Sequence, residues 1–137
     1  MPPVSIVQVH DPRVRWGVRA SGVVRIIPAA DWSAVPAVDV LASLGALPRT
    51  GARIRRVIVV RGARGREIAL LAAGAIDIAD VDAASVLALP AALADRAPQI
   101  AAIVVAHDAS LSLLLELAAV ITPDDIVVGE ELCPSRS

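Results

Sequence analysis

The sequence contains no lysine, phenylalanine or tyrosine, and only two tryptophans, two histidines and one cysteine. With Cys133 as the single thiol there is no intramolecular disulfide and no cysteine-based zinc site, which fits a reducing compartment. Nothing around Cys133 would activate it as a nucleophile, so it reads as an inert tail thiol. His10 and His107 are each followed by Asp, but a metal phosphohydrolase needs further His and Asp ligands that the chain does not have. No G-x-S-x-G elbow exists to present a serine nucleophile. Gly62-Ala63-Arg64-Gly65 leads into a strand rather than a helix N-terminus, so it is a turn and not a phosphate cradle. Asp77, Asp80 and Asp82 lack the alternating acids and central glycine of a calcium loop and are expected to be solvated turn residues. No catalytic, metal-binding or cofactor-binding residue is assigned, and the expectation is a protein that is not an enzyme.

Long apolar runs are missing too. Glu67, Asp77, Asp80, Asp82 and Glu116 cut the hydrophobic stretches before any reaches the roughly 18 residues of a membrane helix. The start, Met1-Pro2-Pro3-Val4, lacks the basic patch and apolar run of a signal peptide, so a cytoplasmic protein without membrane insertion is expected. What the chain does have is Ala, Val, Ile and Leu, enough in 137 residues for one domain with an aliphatic core. The formal net charge is −1, yet the charges are segregated. Arg49, Arg53, Arg55, Arg56, Arg61, Arg64 and Arg66 cluster mid-chain, whereas Asp124, Asp125, Glu130 and Glu131 lie near the end. An Arg cluster can serve an acidic partner or nucleic acid, but no interleaved aromatics are present to stack bases. The simpler reading is a hairpin solvated by Arg.

Period-two alternation predicts mainly β structure. Val4 to Val9 alternates and stops at His10-Asp11-Pro12; Val14, Trp16 and Val18 share the apolar face of a second strand, with Trp16 in the core. Ala20-Ser21-Gly22 suits a helical turn before a strand over Val23 to Ile27, which Pro28 stops. Trp32, beside a turn, is as suited to an interface as to a core. Ala34 to Val40 is an edge-strand candidate because of Pro36, and Leu41 to Gly45 a single helical turn. Val57 to Val60 and Ile68 to Leu71 flank a glycine turn as a hairpin. Ile76 and Ile78 continue the alternation, and Asp82 to Ser85 reads as an Asp-capped helical turn. Ile100 to Ala106 and Ser110 to Leu115 form a last hairpin, and Thr122-Pro123-Asp124-Asp125 opens a C-terminal helix. Arg25 and Glu116 interrupt apolar runs and are expected to face outward.

In order along residues 4 to 121, these segments resemble the CheW-like domain. The most specific stretch is Arg55-Arg56-Val57-Ile58-Val59-Val60, the glycine turn, Arg66-Glu67-Ile68-Ala69-Leu70-Leu71-Ala72-Ala73-Gly74, and Ile76 to Pro90. Val35-Pro36-Ala37-Val38-Asp39-Val40 with Leu44-Gly45 resembles the family's Val-Pro-Val-Val-Asp-Leu and Leu-Gly. His107-Asp108-Ala109-Ser110 stands where the family closes with an Asp-Gly turn. The resemblance implies a pair of SH3-like β-barrels in a single domain over 4–121. Its first subdomain would lie mainly in 14–51 and its second mainly in 52–115, with the termini packing across, and a helix and tail would follow over 122–137.

The resemblance also implies a function, that of an adaptor coupling the cytoplasmic tips of methyl-accepting chemoreceptors to a histidine kinase. Ala20, Val23, Arg25, Val57 and Ala69 match the family's receptor-binding groove. One departure is large: between Ile27 and Val35 only Pro28 to Ala34 remain, about twenty residues fewer than usual, or one or two ordinary strands with their turns. The family's Asn-Leu-Arg-Gly turn is lost with them. The expectation is a divergent member with a truncated first barrel, whose open edge invites self-association and whose direct kinase binding is weak or absent. The alternatives are an ordinary coupling protein bridging receptor and kinase, and an Arg-patch module binding nucleic acid.

Overall fold

The computed structural model describes residues 3–32, 37–44, 48–62, 65–106 and 108–117. It is mainly β, in two sheets. The first sheet has six strands in the order β7-β1-β2-β10-β9-β8, made of β1 (Val4–His10), β2 (Trp16–Arg19), β7 (Ala75–Val81), β8 (Val86–Ala88), β9 (Ile100–Val105) and β10 (Leu111–Leu115). The second has four strands in the order β3-β5-β6-β4, made of β3 (Val23–Pro28), β4 (Ala37–Val38), β5 (Arg56–Arg61) and β6 (Glu67–Ala72).

Alternation sorts the side chains as a pleated strand requires. In the six-stranded sheet, Ile6, Ala102, Val104 and Leu114 form one cluster, and both Val81 at one sheet edge and Val86 at the other pack on it. The sheet therefore curls until its edges share an interior. On the opposite face Val7, Val9, Trp16, Val18 and Leu115 meet Val38, Ile58, Val60, Ile68, Leu70 and Ala72 of the second sheet in one core. Because that core draws on both sheets, the two lobes are one cooperative unit.

The sheets do not divide the chain near residue 51. β3 and β4 pair with β5 and β6, while β1 and β2 pair with β7 and β10, so strands from both halves of the chain interleave in each sheet. Asp77 and Asp80 are likewise not turn residues. They lie on β7, on opposite faces of the strand and both exposed; Asp77 pairs with His10 at 2.6 Å and Ser5 donates to Asp80. The Asp82 turn exists as Ala83–Ser85, but no side-chain cap forms, and the Ser85 amide instead donates to the Asp82 carbonyl at 2.9 Å. A short helix α2 (Ala91–Ala94) follows Pro90, where the sequence reading placed none.

Of the edge strand expected over Ala34 to Val40, the described part holds β4, parallel to β6 and at the sheet edge, and it ends before Val40, which opens helix α1 (Val40–Ser43). Ser33 to Pro36, Gly45, Ala63-Arg64, His107 and the Thr122 helix lie outside the described residues. The four-stranded sheet ends on β3 and β4.

The β9–β10 turn carries a local strain that predicts a stabilising change. Ala109 has φ 66°, the left-handed region that a Cβ disfavours. Asp108 braces the turn by accepting from the Ser110 hydroxyl and amide, which holds its carboxyl below the usual range. Ala109→Gly should therefore raise stability by about 1 kcal/mol. A denaturation midpoint that falls in this variant would show that the turn is not under strain.

Candidate functional site

The five residues matched to a receptor groove do not line one open surface. Val57 and Ala69 are 1% and 0% exposed and sit with Ala37 and Val59 in a third cluster on the far face of the four-stranded sheet, against which Ala29 and Trp32 pack. Trp32 is thus half-buried structural cover for this cluster. Ala20 and Val23 are half-buried on the opposite face, against the shared core. Arg25 is exposed beside a bulge in β3 and pairs with Glu67 at 3.3 Å, an exposed ion pair worth little by itself. Glu116 is exposed, as expected.

An open concave surface lies elsewhere, between the two sheets. A cleft of about 500 Å³ is lined by Pro28 at the end of β3, the segment Ala52 to Arg56, and the β6–β7 corner from Ala73 to Ile76. It runs into a second hollow of about 350 Å³ lined by Ile26, Arg56, Ile76, Asp77 and Ile78. The local structure explains the shape. The Ala29 amide donates to the Arg55 carbonyl at 2.8 Å, binding the Arg segment to the end of β3. Gly74 makes the corner possible, since a Cβ there would run into the His10 carbonyl. The cleft is flanked by two sheet edges, β3 and β7. Its apolar floor includes Ile78, which is 69% exposed. Arg53, Arg55 and Arg56 are exposed at its rim, and none of them forms an ion pair among the described residues.

A second apolar patch lies on the outer face of β8, β9 and β10. Leu87 pairs with Ile103 and Leu111 with Val105, and Leu87 and Leu111 are 49% and 57% exposed. Contiguous exposed aliphatics of this kind mark interaction surfaces.

Among the described residues, charges are buried at one place, the junction of the β1–β2 turn with α1. Arg13 donates from Nε and Nη2 to both oxygens of Asp11 at 2.9 and 2.7 Å, and from Nη1 to Asp39 and to the Pro48 carbonyl. Asp39 also accepts from the Thr50 amide and from the Ala42 amide as the N-cap of α1. The Asp11 and Asp39 side chains are 0% and 1% exposed. Burial pushes Asp11 upward, but the hydrogen bonds and charge of Arg13 outweigh it and hold the carboxyl below its ordinary range. The Trp16 indole N–H, buried without a fully formed hydrogen bond, adds to that effect. This constellation clamps a turn to a helix and offers no nucleophile. His10 pairs with Asp77 at a half-exposed site, and no group of three or more His, Cys, Asp or Glu side chains is positioned to hold a metal among the described residues. No described helix is long and apolar enough to cross a membrane.

Two small sheets, one curled on itself, sharing a core and leaving a cleft between their edges, make up the CheW fold. The solved structure of the scaffolding protein TtCheW from Thermoanaerobacter tengcongensis superposes with a TM-score of 0.73, over 91% of this chain and 91% of that one, at 14% identity. Equal coverage of both means that the two chains are of about the same overall length. No family model matches the sequence, and no curated protein is detectably similar to it.

Proposed function

We propose that the protein is a non-enzymatic, cytoplasmic adaptor of a bacterial chemosensory system that binds the cytoplasmic tips of methyl-accepting chemoreceptors and supports their assembly into arrays. The observation that carries this reading is the cleft between the two sheets, an exposed aliphatic floor with an arginine rim in a fold shared with a scaffolding protein. An amphipathic helical hairpin would lay its apolar side on Ile26, Ile76 and Ile78, as in other helix-in-groove complexes, and its acidic groups would meet Arg53, Arg55 and Arg56. Arg25, Ala20 and Val23 remain available for contact, while Val57 and Ala69 support the sheet from beneath. No bond is made or broken, so affinity and geometry are the whole mechanism.

Within this reading the protein is a divergent member of the type represented by FrzB in the frizzy motility-reversal system, with a shortened first subdomain, a capacity for self-association and weak direct kinase binding. Calorimetric titration against the array kinase's regulatory domain should give a Kd weaker than about 1 μM, less than about 8 kcal/mol of binding free energy. The second reading, an ordinary coupling protein, is favoured by the separate apolar face at Leu87 and Leu111, because a bridge needs two surfaces. Submicromolar kinase binding, lost on Leu87→Asp, would establish that reading instead. A nucleic-acid module gains no support from the cleft, which no aromatic side chain lines, and it would require steeply salt-dependent association with DNA.

A further inference from the structure

Among the described residues the two sheets end on β7, β8, β3 and β4, and these free edges are unequal. β8 and β4 have only three and two residues. β3 is interrupted by a bulge and ends in a blunted position: the Ala29 amide donates to the Arg55 carbonyl, so alternation turns residue 28 toward the free edge, where proline has no N–H. β7 has neither defence. Its seven residues pair with β1 without a bulge, its other edge is unpaired, and Ile78 at its middle is 69% exposed. A long edge with exposed aliphatics is a template for a further strand. We propose that the strand it takes is β7 of a second copy, paired antiparallel about a twofold axis at Ile78.

The charges of the strand select both the occupant and the register. Residues directly opposite share a face, so the twofold axis passes through a residue. At Asp77 or Asp80 it would set a carboxylate against its own counterpart, and at Ile76 or Ala79 it would shorten the paired stretch. At Ile78 the whole of β7 is used: Ile78 faces Ile78, Ile76 faces Asp80, Asp77 faces Ala79 and Ala75 faces Val81. Arg56 borders both hollows beside Ile76, and neither Arg56 nor Asp80 has an ion-pair partner among the described residues. Within one copy Ile76 and Asp80 are four extended residues, about 13 Å, apart. In the dimer the second copy's Asp80 faces Ile76 and so comes to Arg56, and the symmetry makes this pair twice. Asp77 also borders the hollow, but its side chain lies on the other face of β7, held by His10 at 2.6 Å. The two Asp77 side chains of a dimer are diagonal neighbours about 7 to 8 Å apart, each beside its own His10. Because the axis is perpendicular to the sheet, Ile26, Ile76 and Ile78 of the two copies meet on one side and close the hollow. The inference rests on the self-association within the adaptor reading and names its surface, and it makes self-pairing and receptor docking compete for one floor.

Sedimentation of the full-length protein, with no receptor or kinase in the sample, should show a monomer–dimer equilibrium. Arg56→Asp and Asp80→Arg, both at exposed positions, should each weaken the dimer about tenfold, because two ion pairs are replaced by like charges. Combining them should restore the wild-type constant. In a Cys133→Ser background, Ile78→Cys should give a disulfide-linked dimer under mild oxidation and Leu87→Cys should not, since only Ile78 lies opposite its own counterpart. A wild type that stays monomeric at every concentration measured would overturn the proposal. So would a dimer indifferent to both charge changes, a combined variant that regains nothing, or cross-linking through Leu87→Cys in place of Ile78→Cys. A monomer that still binds the receptor hairpin would remove this inference and leave the receptor-binding reading standing.

Discussion

Arg13→Met should destabilise the protein by about 3 to 5 kcal/mol, the cost of removing one partner from a buried ion pair. That is a large part of the about 5 to 15 kcal/mol by which domains are usually stable. The guanidinium is the only described cation against Asp11 and Asp39, whose side chains are buried, and Met replaces its stem but not its charge. The effect has a pH signature. In the native protein Asp11 is held below the ordinary carboxylate value, so its contribution is complete above about pH 4 and is lost as the pH falls through the lowered folded-state value. In the variant the guanidinium's hydrogen bonds and charge are gone, and only the backbone amide of residue 13 and Trp16 still oppose burial at Asp11. The neutral acid is therefore favoured more than in the native protein, and protonation relieves part of the strain. Urea denaturation should therefore show a stability difference that is largest near neutral pH and shrinks in acid. A deficit of the same size at both pH values would assign Arg13 a packing role only.

Two carboxylates introduced at sites of opposite exposure should have opposite consequences. Val57→Asp puts an unpaired charge into a sheet position that is 1% exposed, at a cost of several kcal/mol, and the protein should lose its cooperative fold. Ile78→Asp alters a side chain that is 69% exposed, so stability should change by no more than about 0.5 kcal/mol. The same change puts a negative charge on the floor of the cleft. If receptor helices dock there, binding should weaken by about 2 to 4 kcal/mol, roughly 30- to 1,000-fold, on the scale of an interface hot spot. A folded Val57→Asp protein that has lost only receptor binding would return the binding surface to the groove that the family resemblance implies.

The strands were legible wherever pattern and turn chemistry agreed. The β5–β6 hairpin has β-branched runs around a glycine turn, and β9–β10 brackets His107-Asp108-Ala109, so both follow from local sequence. β7 was only half legible, because its outward acids read as turn residues until β1 is seen to supply His10 and Ser5 as partners. Nothing local announces the parallel pairing of β2 with β10, or that β3 and β4 join β5 and β6; those pairings are decided by the shared core. The candidate site was less legible than the fold. The cleft unites Ile26, Arg53 to Arg56 and Ile76 to Ile78, three segments whose proximity depends on that long-range pairing. The Arg cluster was the one visible signal, and only part of it serves the cleft, since Arg61 ends β5 at the opposite end from Arg56. The Arg13 clamp was missed because Asp11 reads equally well as turn chemistry and Asp39 as a helix cap. Its third member, Arg13, gave no sign of burial.

The central claim, that the cleft between the sheets binds chemoreceptor tips, is tested most directly by titrating full-length protein with the cytoplasmic tip hairpin of receptors from the same genome. Wild type, Ile78→Asp and Leu87→Asp should be measured under identical salt. Saturable binding is predicted for wild type and for Leu87→Asp, with a loss of at least about 30-fold in folded Ile78→Asp. Absence of binding by wild type, or equal affinity in all three proteins, would contradict the account.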